Sequence, residues 1–331
     1  MNQIEDLDAF LETRGTRKSG WLQVSTRSDG SPFGIPVNAV IGKEDGPTLV
    51  IEACIHGDET EGTLAALTIL DELNPDELKG TVISIPVLNI RAYETGTRGN
   101  PDERYNYDMN RLFPGNPNGS ISERFVYVYF NQIVKRADNI IALHGGGGLF
   151  YLKNRVMISN DPKSTELAKA MGPEWPLLHQ SHHPGTLLVE CEKEGIAGVI
   201  AELGGSSNRL PGPLRENVEC FKRMIKNIMR HSGMISGSAT YAKEWGVLKG
   251  VLKGTNVKCQ YGGIIVPTDK CRIDAEVKEG DYIVSIVDLF GNELLKVLAP
   301  QDGIVLGVPA SPVAYPGNNI LTIVKIAKKI T

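Results

Sequence analysis

From residue 48 onward, short apolar runs alternate with stretches of helical periodicity, and this alternation restricts the fold more than any other property of the chain. The apolar runs cover 48–55, 81–88, 139–143 and 198–201. Between and after them the pattern predicts helices over 61–73, 120–136, about 164–171 and 215–230. In the first, Leu64, Leu67, Ile69 and Leu70 make an apolar stripe; the second opens on Ser120-x-x-Glu123, a capping box. Strands alternating with amphipathic helices imply an α/β domain, with a parallel or mixed sheet between flanking helices. Residues 15–47 read as short strands joined by turns at 28–30 and 45–47, and 89–119 as a long polar loop. After Gly237 the composition changes to Val/Ile runs broken by Gly-rich turns, which predicts a small all-β domain. The expected division is 1–237, including the N-terminal β segment, and a barrel-like 238–331.

Bulk properties exclude several roles. The 331 residues carry a formal charge of −4 and no basic block, which argues against nucleic-acid and anionic-membrane partners. No apolar run is long enough to span a bilayer, and the acidic start has no apolar signal segment. The five Cys are odd in number and lack C-x-x-C spacing, so reduced thiols in a cytoplasmic protein are expected. A homo-oligomer is compatible with this composition.

Three apolar runs end in side chains able to bind a metal or move a proton. The first leads into His56-Gly57-Asp58-Glu59, the second of them into His144, and the third into Glu202. Sites in open α/β sheets gather outside the carboxyl ends of the strands, so these residues converge if their strands are neighbours. Two His and one carboxylate make a catalytic zinc set with an open position, and a further Glu can take a proton from water. Taken singly, each has an ordinary structural reading: a hydrogen-bonded His, or a Glu serving as cap or ion-pair partner. The polar loop adds Arg98, Arg104, Asn110 and Arg111, groups suited to clamping a carboxylate or, equally, to pinning a loop. His179, His182 and His183 form a local cluster, read mainly as structural. Cys54, two residues before His56, is read as a packing group rather than a ligand.

The set His56-Gly-Asp-Glu59, Asp108-Met-Asn-Arg-Leu-Phe113, His144-Gly and Glu202-Leu-Gly-Gly205 resembles, in order, the motifs of the succinylglutamate desuccinylase/aspartoacylase family, a branch of the zinc carboxypeptidase-like enzymes. The resemblance covers about 45–235 and implies a carboxypeptidase-like mixed sheet with a β-rich C-terminal domain. It implies one Zn2+ per chain, held by His56, Glu59 and His144, with Glu202 as general acid/base. It implies that Asn110 and Arg111 hold a substrate carboxylate and that Arg98 polarises the scissile carbonyl, with Arg104 as a rival because the segment from Arg98 to Asp108 looks longer than in some relatives. The expected reaction is hydrolysis of the amide of a small N-acyl amino acid. Alternatives are a zinc carboxypeptidase acting on short peptides and a metal-free binding protein.

Overall fold

A computed structural model describes residues 2–105, 107–205, 211–249 and 256–330. The N-terminal part supplies β1 (Gln3–Ile4), α1 (Leu7–Glu12), β2 (Thr16–Thr26) and β3 (Pro32–Ile41), then β4 (Glu44–Ala53), α2 (Glu61–Asp71), β5 (Lys79–Ile85) and α3 (Ile90–Thr95). Next come α4 (Ile121–Val128), β6 (Asn139–His144), β7 (Phe150–Ile158), α5 (Pro162–Lys169), β8 (Leu177–Gln180), α6 (Leu187–Lys193), β9 (Ala197–Gly205) and α7 (Pro211–His231). The described residues beyond α7 form only strands: β10 (Trp245–Lys249), β11 (Asn256–Lys258), β12 (Gly263–Pro267), β13 (Glu276–Val277), β14 (Tyr282–Val287), β15 (Glu293–Leu298), β16 (Gly303–Pro309), β17 (Val313–Ala314) and β18 (Asn319–Ile330). Residues 250–255 and 331 of the expected β segment lie outside the described residues.

The main sheet runs β1-β2-β3-β5-β4-β6-β9-β7-β8-β10-β18-β16-β13. Its centre, β5-β4-β6-β9, is parallel, and β7 then pairs antiparallel with β9. This is the expected mixed α/β sheet, and the parallel strands are continuous apolar runs because helices cover both faces. One face is packed by α2, α5 and α7 around Ile51, Leu143, Val199 and Phe221; the other carries Val50, Ile140, Ile200, Tyr129 and Leu188.

Several local expectations change. The 45–47 segment is not a turn: it lies within β4, where a register shift against β5 between Glu44 and Thr48 absorbs Gly46 and Pro47. The turn at 28–30 does form and joins two long strands rather than several short ones. In α2 the buried face is Gly62, Ala65, Ala66, Ile69 and Leu70, while Leu64 and Leu67 are exposed. The reason is close approach: a Cβ on Gly62 would lie 2.4 Å from Leu143 Cβ, so small residues face the sheet. The Ser120/Glu123 capping box is present, and α4 continues through a π turn and a 3-10 turn to Arg136. The strands β7 and β8 and the helices α3 and α6 are additional elements that periodicity did not mark.

The C-terminal strands share the main sheet. β10 pairs with β8, β18 with β10, β16 with β18, and β16 also with β7, so five strands close on themselves. Leu177, Leu248, Leu306 and Val324 pack together across this ring. A second sheet, β15-β14-β12-β17, completes the segment around its own apolar cluster.

Candidate metal centre and active site

The chain after β4 turns sharply. Cys54 takes a left-handed φ of 55°, which breaks the strand's alternation. Its buried Sγ approaches the His56 carbonyl oxygen at 3.4 Å, and burial pushes the thiol pKa up, leaving a neutral packing group. Gly57 then passes against α3: a Cβ there would sit 1.9 Å from the Ala92 carbonyl carbon, so no side chain fits between His56 and Asp58.

This turn brings His56 and Glu59 to the end of β6, where His144 closes the strand opposite Glu202 of β9. One ligand atom from each of His56, Glu59 and His144 lies within 4.8 Å of the others, and all three residues are buried. Glu59 lies between the imidazoles: Oε1 is 2.8 Å from His56 Nδ1 and Oε2 is 2.8 Å from His144 Nδ1. Gly145 N also donates to Glu59 Oε2 at 3.1 Å. The other His56 nitrogen, Nε2, is 3.0 Å from Asp108 Oδ1.

The electrostatics favour a cation. Burial would lower the pKa of His56, but the charge of Glu59 and the hydrogen bonds to Asp108 and Glu59 push it up to about 9. For Glu59, burial acts upward and is outweighed by His56 and His144, which hold the carboxyl well below its usual range. For Asp108, burial again acts upward, and the His56 bond and the Arg98 charge hold it low. Two imidazole nitrogens and a carboxylate oxygen are also the donor set of catalytic zinc sites, so these residues fit such an ion.

Arg98 donates to Glu59 Oε1 at 3.2 Å and to Asp108 Oδ2 at 3.0 Å. It lines the cavity, whereas Arg104 does not and instead stacks over the exposed Tyr105 at 5.6 Å. Asn110 and Arg111 occupy a single 3-10 turn whose start is capped by Asp108, with Asn110 N donating to Asp108 Oδ1 at 2.9 Å. Asn110 Oδ1 accepts from Leu187 N at 3.2 Å, at the start of α6, and Arg111 donates to the Asn110 carbonyl at 2.6 Å.

One cavity of about 360 Å³ is lined by all seven residues singled out above: His56, Glu59, Arg98, Asn110, Arg111, His144 and Glu202. Three larger hollows, of about 740, 660 and 540 Å³, hold none of them. His183 reaches the cavity, but His179 and His182 do not, and among the described residues the three form no metal-binding group. Residue patterns had not assigned a role to Asp108, Arg155, Asn256, Asn319 or Thr322. Asp108 carried a signal, being two residues before the Asn-Arg pair. Arg155 reaches the cavity from β7, and the last three come from β11 and β18.

The sequence profile of the succinylglutamate desuccinylase/aspartoacylase catalytic domain matches residues 45–232. The N-alpha-acetyl-L-2,4-diaminobutyric acid deacetylase of Halomonas elongata is 26% identical over 94% of this chain and 92% of its own. A succinylglutamate desuccinylase/aspartoacylase structure from Rhodobacter sphaeroides superposes with a TM-score of 0.82, 25% identity and coverage of 96% of this chain and 97% of that one. The product-bound ectoine utilization protein EutE (DoeB) of Ruegeria pomeroyi shares the fold, with a TM-score of 0.83, 22% identity and coverage of 95% and 96%. With the profile spanning more than half of its residues, this chain belongs to the succinylglutamate desuccinylase/aspartoacylase family.

Proposed function

We propose that the protein is a zinc-dependent deacylase that hydrolyses the amide bond of a small N-acyl amino acid. The observation that carries this reading is the gathering of His56, Glu59 and His144 in one cavity with Glu202, Arg98, Asn110 and Arg111. His56, Glu59 and His144 would hold the ion, which supplies Lewis acidity and activates a water for attack. Glu202 accepts the proton of the attacking water as the new C–O bond forms, and returns it to the nitrogen as the C–N bond breaks. Arg98 directs its guanidinium toward the oxygen on which negative charge develops. Asn110 and Arg111 hold the carboxylate of the amino acid, fixing the amide relative to Glu202.

The contribution of Asn256, Asn319 and Thr322 to the cavity wall favours a small substrate over a peptide. Thr322 Oγ1 donates to Asn256 Oδ1 at 2.9 Å, which ties β11 to β18 at that wall. The Halomonas relative acts, by its name, on an N-acetyl diamino acid, and that class heads the substrates to try. The test is zinc-loaded enzyme against N-acetyl, N-succinyl and N-formyl amino acids, diamino acids included, with short peptides as controls. Release of free amine from an acyl amino acid, lost on chelation and restored by zinc, is the expected result. Cleavage of peptides alone would replace the reading with a carboxypeptidase, and no turnover in a zinc-loaded sample would leave a binding protein.

A further inference from the structure

We propose that Arg155 is a positioning residue for Glu202, holding the carboxylate from the neighbouring strand in the orientation the chemistry requires. This rests on the role proposed above for Glu202. β7 runs antiparallel to β9 with Arg155 directly opposite Glu202, and cross-strand partners project from the same face of a sheet. Arg155 Nη2 lies 3.8 Å from Glu202 Oε1, with side chains 12% and 13% exposed. Among the described residues, neither side chain has another ion-pair partner, and Arg155 Nε is buried without a hydrogen bond. A largely buried carboxylate left without a counter-charge is strongly disfavoured, so each of the two groups depends on the other.

The backbone is shaped for this pairing. The β7–β9 register slips between Leu152 and Arg155, and it is this irregularity that sets Arg155 against Glu202. On its other edge β7 is held by β16, with Leu152 opposite Gly307. His179, on the adjacent β8, does not compete for the carboxylate: burial and the Arg155 charge push its pKa down to about 4, so it is neutral. The 3.8 Å separation and the unmet Nε leave the guanidinium room to close to hydrogen-bond length, as catalytic contacts commonly do when substrate enters.

The test is a double-substitution cycle of Arg155→Met and Glu202→Gln, with Arg155→Lys as the conservative variant, on zinc-loaded protein. Arg155→Met should lower kcat by roughly 10- to 100-fold with KM changed by less than about threefold, and Lys should restore part of the loss. In the Glu202→Gln background the same substitution should have little further effect on kcat. A rise in KM with kcat preserved would make Arg155 a substrate-binding residue and overturn the proposal, as would equal kcat losses in both backgrounds. A second readout needs no substrate: Arg155→Met should lower Tm by several degrees in the parent and by clearly less in the Glu202→Gln protein, where a neutral amide replaces the carboxylate. Additive Tm shifts would dissolve the pair itself. Coupled Tm shifts in a protein that hydrolyses no acyl amino acid would keep the pair, refute its catalytic purpose, and remove the functional reading separately.

Discussion

Asp108 lies against the far side of the His56 ring, its Oδ1 3.0 Å from Nε2, while its Oδ2 accepts from Arg98 at 3.0 Å. One carboxylate therefore orients a candidate ligand and the residue assigned to the carbonyl oxygen. A carboxylate behind a ligating His fixes the ring and raises its basicity. Asp108→Asn should weaken zinc binding by about 10- to 100-fold, read by competition against a chromophoric chelator, with the circular dichroism spectrum unchanged. Unaltered affinity would limit Asp108 to holding Arg98 and the Asn110 turn.

The division of labour between the ligands and Glu202 predicts opposite outcomes at neighbouring strand ends. Glu202→Gln should retain zinc by elemental analysis and lose about 10²- to 10⁴-fold in turnover, the usual contribution of a placed acid/base. His144→Ala should lose the metal. Near-normal turnover in the first variant, or full occupancy in the second, would remove that residue from its role.

Gly57 offers a test of the turn itself. Because a Cβ there would overlap the Ala92 carbonyl carbon at 1.9 Å, Gly57→Ala must move α3 or the His56–Glu59 turn. A loss of about 1–3 kcal/mol in urea unfolding is expected, the range for forced overpacking, together with weaker zinc binding. A variant as stable as the parent would mean that α3 yields without strain.

Glu52 gives the chain a pH-dependent stability. Fully buried on β4, it has no hydrogen bond to either oxygen among the described residues. Burial lifts its carboxyl from 4.5 to about 7, against the pull of His144 and His56. The folded protein thus keeps a proton that the unfolded chain releases. The associated stability is full below about pH 4.5 and falls as pH rises toward 7, above which the loss is complete. In metal-free protein, Glu52→Gln should exceed the parent in stability at pH 8, by a difference on the order of 3 kcal/mol, and converge with it near pH 4.5. A gap that stays constant between these pH values would place the Glu52 titration elsewhere.

The parts of the fold and site that were legible in the sequence share a physical origin. β4, β6 and β9 are covered on both faces, so they read as apolar runs, and the polar residues that interrupt those runs could be found by position alone, although His144 is still the last residue of β6 and Glu202 lies inside β9. The capping box at Ser120 was equally local. The 45–47 segment misled because Gly and Pro usually punctuate chains, yet here a register slip accommodates both inside a strand. Arg155 was invisible for a different reason. β7 mixes half-buried and polar positions, and what matters about Arg155 is its register against Glu202, a residue far along the chain. The same holds for Asn256, Asn319 and Thr322, whose meaning depends on where β11 and β18 dock.

The closed ring of β7, β8, β10, β18 and β16 also orders events during synthesis. The candidate metal ligands, the Asn-Arg pair and Glu202 all emerge from the ribosome before β18, which carries Asn319 and Thr322 of the cavity wall, is made. Since elongation proceeds at about 5–20 residues per second, the nascent chain spends seconds with its candidate ligands translated and the β18 part of its cavity wall still missing. If the proposed deacylase reading holds, selection for a small substrate is the last property the polypeptide acquires, added by strands that carry none of the residues assigned to the chemistry.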